Sequence, residues 1–221
     1  MPDTVSAAAL ASAQAHVSRV GVGITPRRQW PTGLPAIGIA LSGRIPEDER
    51  PLAGRALARL TDLGWGAQLR TLCGDDVPDG PPSEQVLTGV IRTLTAWAKG
   101  ENRWPARPTG IIAIGSRSRA QLINGLAQHI ARVGRLPLLG VLPPVTADRD
   151  AGRANSARRV AALHDSFTVP EPVARACREL TGPVLLIDDL IVSGWTMALA
   201  ARALRRAGVR GVLPFALAVT A

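Results

Sequence analysis

From residue 110 onwards, short apolar runs alternate with segments in which apolar residues recur every three or four positions. The runs of strand length are Gly110–Ile114, Leu136–Leu142, Phe167–Val169, Pro183–Ile187 and Gly211–Val219. The segments with helical spacing are Ser118–Val133, Glu171–Leu180 and Trp195–Ala207. Strands that alternate with helices predict a parallel sheet with helices packed on both faces, which is an α/β fold. Such sheets bind ligands at the carboxyl ends of their strands.

The first hundred residues follow a less regular pattern, broken by clusters of proline and glycine. Ser83–Ala98 has the clearest helical spacing of this part, Gly54–Leu72 is predicted to be helical in part, and Ala36–Leu41 is predicted to be a short strand. We therefore divide the chain into an accessory α+β subdomain, or hood, at residues 1–100 and an α/β core at residues 101–221.

Composition argues against a membrane or secreted protein. The longest apolar run, Val212–Ala221, is broken by Pro214 and falls short of the roughly 18 residues that a membrane-spanning helix needs. The N-terminal segment lacks the basic and apolar regions of a signal peptide. Cys73 and Cys177 match no metal-ligand spacing, so we expect two buried, reduced thiols, with a single disulfide as the alternative. These features predict a cytoplasmic protein with no membrane partner.

The chain has a formal net charge of +9, and all but one of its basic residues are arginines, the exception being Lys99. A basic protein of this kind suits an anionic partner, either a nucleic acid or a phosphorylated small molecule. The alternative is that an arginine-rich composition has no binding role.

The stretch from Val184 to Thr196 carries the clearest chemistry. Four apolar residues predict a buried strand, Asp188 and Asp189 follow it, and a loop containing Gly194 and two hydroxyl residues precedes a helix. The N–H groups at a helix start suit a phosphate, and a glycine lets the backbone approach it closely. Paired carboxylates can accept hydrogen bonds from ribose hydroxyls or hold Mg²⁺ together with a pyrophosphate. The alternative is a strand that ends in a solvated turn.

This order of apolar strand, acid pair and phosphate loop resembles the phosphoribosyl diphosphate (PRPP) motif of type I phosphoribosyltransferases. The resemblance implies that family's parallel sheet with a hood. It also implies that Asp188 and Asp189 are the catalytic acids and bind PRPP with magnesium. The implied PRPP-binding loop residues are Leu190, Ile191, Val192, Ser193, Gly194, Trp195 and Thr196. Two positions depart from the family: Val192 stands where a hydroxyl residue is usual, and Trp195 where a small residue is usual. The ring of Trp195 either stacks on a base or on an N-terminal segment, or it packs against the hood.

Two further loops match the family by position. The implied pyrophosphate loop consists of Gly115, Ser116, Arg117, Ser118 and Arg119. A long loop at Thr146–Asp165 corresponds to the flexible loop that closes over the reacting centre, where Arg153, Arg158 and Arg159 would meet the pyrophosphate. In both places the alternative is a solvated basic segment.

The whole chain also resembles the C-terminal region of actinobacterial RecQ-type ATP-dependent DNA helicases. The stretches that carry this resemblance are Pro26–Leu34, Gly43–Pro46, Gly54–Gly66, Arg135–Gly140 and the acid-pair motif. It implies a module attached to, or partnered with, a helicase in DNA repair. The chain has no Gly-x-x-x-x-Gly-Lys-[Ser/Thr] loop, so we do not expect it to be the helicase engine itself.

Three functions follow from these patterns. The first is an enzyme that transfers ribose 5-phosphate from PRPP to a nitrogen acceptor. The second is a module that senses PRPP or a nucleotide. A homodimer is one of the assemblies that such a module could form. The third is a DNA-binding accessory domain that uses basic and aromatic residues of the hood. These residues are Arg27, Arg28, Trp30, Arg44, Arg55, Arg59, Trp65 and Arg70. For them the alternative is an ordinary surface with core tryptophans.

Overall fold

The computed structural model describes residues 21–74, 76–144 and 155–220, which form one six-stranded sheet and its covering helices. The strands are β1 (Val22–Ile24), β2 (Gly54–Arg59), β3 (Gly110–Ile114), β4 (Leu138–Leu142), β5 (Val184–Ile191) and β6 (Val212–Val219). The α-helices are α1 (Trp65–Cys73), α2 (Glu84–Lys99), α3 (Ala120–Gly134), α4 (Ser156–Leu163), α5 (Glu171–Glu179) and α6 (Trp195–Arg206).

The strand order is β1-β2-β6-β5-β3-β4, and every pair is parallel except β1 with β2. β5 lies in the middle, between β3 and β6. Since parallel strands end at the same edge, the segments that follow β2, β3, β5 and β6 meet there. The predicted α/β class with a mostly parallel sheet is confirmed.

The sheet is buried on both faces because side chains of a strand alternate between them. On one face, Leu185 and Ile187 of β5 join a core with apolar residues of α1, α2 and α3. On the other face, Val184 and Leu186 pack with residues of α5 and α6. The loop that leaves β5 is therefore supported by hydrophobic packing on each side.

Several predicted elements are confirmed with small shifts. The helix expected at Ser83–Ala98 is α2, and the Ser83 hydroxyl accepts a hydrogen bond from the Val86 N–H at 3.4 Å. The helix expected from Ser118 begins at Ala120, since the Ser116 hydroxyl accepts the Arg119 N–H at 3.1 Å and so closes a turn first.

Other elements differ from the prediction. Ala36–Leu41 is not a strand: a 3-10 turn at Pro35–Ile37 ends at Gly38, whose φ of 83° stops extension. The start of the region expected to be helical in part, Gly54–Leu72, is instead strand β2, which pairs with β6. No strand forms at Phe167–Val169, where Phe167 and Val169 are half-buried against the core.

The described part of the hood packs on the start of α6. Trp30, Leu34, Ile39 and Ile45 form a small apolar cluster, which also contains residues of α4 and α6. β1 and β2 belong to the same sheet as the later strands, so both parts of the chain share one framework. The division at residue 100 stays a prediction. No helix among the described residues has both the length and the apolar character needed to cross a membrane.

Gly54 offers a test of the β2–β6 pairing. A Cβ at this position would lie 2.5 Å from the carbonyl oxygen of Pro214 and 2.7 Å from its Cβ. We expect Gly54→Ala to lower the free energy of unfolding by about 1–3 kcal/mol, because such crowding forces the strands apart. Urea denaturation measures the loss. Gly80→Ala is the control, since nothing lies within 4 Å of its added Cβ; an equal loss in both variants would contradict the explanation.

Candidate functional site

The acid pair lies inside β5 rather than at its end. Pairing with β6 continues through Leu190 and Ile191, which are in register with Ala218 and Val219. The predicted end of the strand at Ile187 is therefore too early. As a consequence, the acid pair is largely buried: Asp188 is 7% exposed and Asp189 is 6% exposed.

Arg119 holds the carboxylate of Asp189. Its guanidinium forms an ion pair with Asp189 Oδ2 and donates a second hydrogen bond to the Cys73 carbonyl at 3.3 Å. Asp189 Oδ1 accepts the N–H of Leu190 at 2.7 Å. The structure thus brings together two predicted site residues, one for pyrophosphate and one for ribose, as an internal ion pair.

Asp188 sits beside this pair and is shielded from solvent. Its Oδ1 accepts the Asp189 N–H at 2.9 Å. Burial, followed by the negative charge of Asp189, raises the pKa of Asp188 well above its ordinary value. Burial and the charge of Asp189 also raise the pKa of Cys73 to about 12, so its thiol stays protonated. Cys73 and Cys177 are both free and buried, as predicted.

The turn after β5 has a geometry suited to an anion. Gly194 adopts φ 77° and ψ 0°, a left-handed conformation that favours glycine, and α6 begins at the next residue. The Trp195 N–H reaches the Ser193 hydroxyl at 3.5 Å. Within the part of the chain that the structure describes, the backbone N–H groups of Ser193, Gly194 and Thr196 have no acceptor. The predicted donors are therefore in place at a helix start.

Trp195 is 2% exposed and packs against N-terminal residues of the hood, as predicted for the case in which it does not stack on a base. Its ring stacks on Trp30, with ring centroids 6.0 Å apart and planes 15° from parallel. A base has no access to this buried ring. Val192, the other departure from the family motif, is 53% exposed.

Arg27 fixes the orientation of the turn. Its Nε and Nη2 donate to the carbonyl oxygen of Ser193 at 2.9 and 2.5 Å, and its guanidinium lies 5.2 Å from the centre of the Trp195 ring. In a trans peptide the C=O and N–H point in opposite directions, so this contact holds the N–H of Gly194 away from Arg27. The sequence marked Arg27 only as part of a basic region.

A cavity of about 780 Å³ opens between this turn and the hood. Ser193 and Gly194 line it together with four arginines, and no aspartate or glutamate of the described residues lines it. The lining arginines are Arg27, Arg28, Arg44 and Arg59. The two other arginines of the predicted basic region lie elsewhere: Arg55 is placed over the ring of Trp97, and Arg70 donates to the Leu60 carbonyl.

The remaining predicted residues are placed apart from this cavity. Gly115 donates its N–H to the Leu142 carbonyl at 2.9 Å, and Arg117 and Ser118 are exposed. None of residues 115–119 lines the cavity, nor does either acid. The predicted site therefore divides into a buried acid cluster and an open basic cavity.

The predicted flexible loop is in part a helix. Residues 156–163 form α4, and the Asn155 side chain caps it by accepting the Arg158 N–H at 3.0 Å. Arg158 and Arg159 are therefore carried by a helix rather than by a loop. Arg153 lies outside the described residues. Among the described residues, no group of three or more His, Cys, Asp or Glu side chains could hold a metal ion.

Neither a scan of protein-family models nor a search of the curated proteins finds a match for this chain. Both resemblances drawn from the sequence therefore stay predictions, and the function is inferred from the site itself.

The Arg119–Asp189 pair generates a prediction on stability. Arg119→Met leaves the carboxylate of Asp189 buried without its counter-charge, so we expect a loss of about 3 kcal/mol in the free energy of unfolding. The double variant Arg119→Met/Asp189→Leu should recover most of this loss. As a control, Arg178→Met removes the exposed 2.8 Å pair with Glu171 and should cost less than about 1 kcal/mol. Similar losses in both single variants would count against a structural role for the buried pair.

Asp188 generates a prediction on pH dependence. Because folding raises its pKa, the folded chain binds this proton more tightly than the unfolded chain, and stability falls as the pH rises above the ordinary aspartate value. Asp188→Asn removes this loss and keeps an oxygen for the Asp189 N–H. We expect the variant to be more stable than the wild type near neutral pH and equal to it below about pH 4. Urea unfolding across this range measures the difference, and a gap that is independent of pH would refute the explanation.

Proposed function

We propose that this chain is a phosphate-binding domain whose ligand is PRPP or a related ribose phosphate. The observation that carries the proposal is the turn before α6: Ser193 and Gly194, whose N–H groups have no acceptor among the described residues, line a cavity together with four arginines, and no carboxylate of the described residues lines it. A phosphate at this turn would accept hydrogen bonds from the backbone and meet the positive end of the α6 dipole.

A ribose phosphate fits the site better than a free inorganic anion. The volume of about 780 Å³ lies within the range of small-molecule sites. The turn also carries the residue order that resembles the PRPP motif, including Ser193, Gly194 and Thr196. Arg27 prepares the turn before any ligand arrives, which lowers the entropy lost on binding.

The geometry favours binding over transfer. In a transferase of this type, Asp188 and Asp189 would accept hydrogen bonds from the ribose hydroxyls. Here both acids are buried, and Arg119 already occupies the carboxylate of Asp189. Transfer of the phosphoribosyl group to a nitrogen acceptor would first require this ion pair to open. The same holds for magnesium: the acid pair does not fit a metal ion while Arg119 is bound to it.

The biological setting in this proposal rests on the sequence resemblance alone. A ligand-sensing module beside a RecQ-type helicase would report the supply of a nucleotide precursor to a DNA-repair enzyme. Direct DNA binding through the hood is less well supported, since Trp30 is buried and Arg55 and Arg70 have partners within the protein. As a result, Trp30 offers no exposed ring on which a base could stack, and two arginines of the predicted basic region are already bonded within the protein.

Calorimetry with ribose 5-phosphate tests the proposal. We expect the wild type to bind and Gly194→Ala to bind at least about tenfold more weakly, because a side chain at φ 77° strains the turn by 1–3 kcal/mol. Gly38→Ala is a matched control, since Gly38 has a φ of 83° and no atom within 4 Å of an added Cβ, but lies outside the cavity lining.

Three outcomes separate the alternatives. No heat from the wild type rejects phosphate binding, and equal losses in the two glycine variants show a global effect of strain rather than a site. If the chain releases pyrophosphate from PRPP when magnesium and nitrogen bases are present, this would establish transfer. That release should then disappear in Asp189→Asn.

A further inference from the structure

The cavity carries more positive charge than one phosphate ester needs. A phosphate monoester brings about −1.5 to −2 charges near neutral pH, whereas four arginines line this cavity. Arg27 is used within the protein, on the Ser193 carbonyl and the Trp195 ring. Among the described residues, the guanidinium groups of Arg28, Arg44 and Arg59 have no hydrogen-bond acceptor and no carboxylate partner.

These three arginines stand on anchored backbone. The Ile45 N–H donates to the Arg28 carbonyl at 2.9 Å, and Gln29 and Arg44 form an antiparallel bridge. This contact fixes the segments of Arg28 and Arg44 side by side. Arg59 ends β2, and its N–H donates to the Asp62 carboxylate at 2.8 Å. The positions from which the three side chains extend are therefore set by the fold.

Elsewhere around the hood the chain neutralises its arginines. Arg202 and Arg206 share the carboxylate of Glu49 at 2.7 Å each. In the part of the chain that the structure describes, no such acid lines the cavity, so like charges there repel one another until an anion enters. A cluster of cations without counter-charges, held beside a phosphate-shaped turn, suits a ligand with several negative charges.

We infer that Arg28, Arg44 and Arg59 bind additional phosphate groups, so that the ligand is a di- or triphosphate rather than a monophosphate. The inference rests on the proposed function, which places the first phosphate at the turn of Gly194. In this inference the first phosphate and the additional phosphates belong to one linked chain. The Gly194 turn and the three arginines line the same cavity, whereas the acid pair that would bind a ribose does not line it. The hood therefore sets the number of phosphates that the site accepts.

Competition calorimetry against ribose 5-phosphate tests this, with inorganic phosphate, pyrophosphate and tripolyphosphate as probes. These probes differ only in the number of linked phosphates. We expect the affinity to rise about tenfold with each added phosphate, the size of one charge-assisted interaction. Arg28→Ala and Arg44→Ala should each weaken tripolyphosphate binding about tenfold, and leave ribose 5-phosphate binding within about twofold. Arg28→Lys should retain part of the gain.

Arg92→Ala is the matched control, because Arg92 is an exposed residue of α2 that does not line the cavity. It removes the same charge and should leave the whole series unchanged. Thermal unfolding of each variant establishes that the fold is intact. A series with AMP, ADP and ATP, alongside PRPP, distinguishes a nucleotide from a free polyphosphate as the source of the linked phosphates.

The outcomes separate this inference from the proposed function. If ribose 5-phosphate binds but all three inorganic probes bind equally, the inference is overturned and the phosphate site stands. If ribose 5-phosphate does not bind, both are rejected. A third outcome has two parts: single-stranded DNA without a terminal phosphate binds and loses affinity in Arg28→Ala, while the three inorganic probes bind with equal affinity. In that case the arginines contact a nucleic-acid backbone and the inference is wrong.

Discussion

The stacking of Trp195 on Trp30 is the contact on which the site depends, because it ties the hood to the first residue of α6. The indole N–H of Trp195 is buried without an acceptor among the described residues, which costs about 1–3 kcal/mol. Burial of the two rings and the cations beside them offset this cost: Arg27 lies over Trp195, and Arg202 lies over Trp30. The wall of the cavity is thus held by aromatic packing together with the hydrogen bonds from Arg27 to the Ser193 carbonyl.

The structure separates the acid pair from the phosphate loop, although the sequence motif predicted that both act on one ligand. Both carboxylates of β5 are buried, and that of Asp189 is paired with Arg119, which gives this pair a structural role. In the turn that follows, which faces the hood, the N–H groups of Ser193, Gly194 and Thr196 have no acceptor among the described residues. Under the proposed function, the turn binds a phosphate while the acid pair is closed to the sugar.

The strongly periodic parts of the fold were predictable, because their apolar spacing matches the period of a helix or the length of a buried strand. α2 and the central strands follow directly from it. The extension of β5 to Ile191 was not predictable, since it depends on pairing with β6 rather than on local residues. The same is true of the pairs Arg119–Asp189 and Arg27–Ser193, whose members are 70 and 166 residues apart in sequence. Local patterns identify the turn, but only tertiary contacts show which arginine belongs to which partner.

The 166-residue separation between Arg27 and Ser193 has a consequence for assembly. A loop of this length closes late, after the local helices and the neighbouring strands have formed. The cavity is therefore complete only when both halves of the chain are folded together. A fragment that lacks the hood would expose the indole ring of Trp195 and would leave the turn without its guanidinium brace. Under the proposed function, ligand recognition would therefore require that both parts of the chain are folded together.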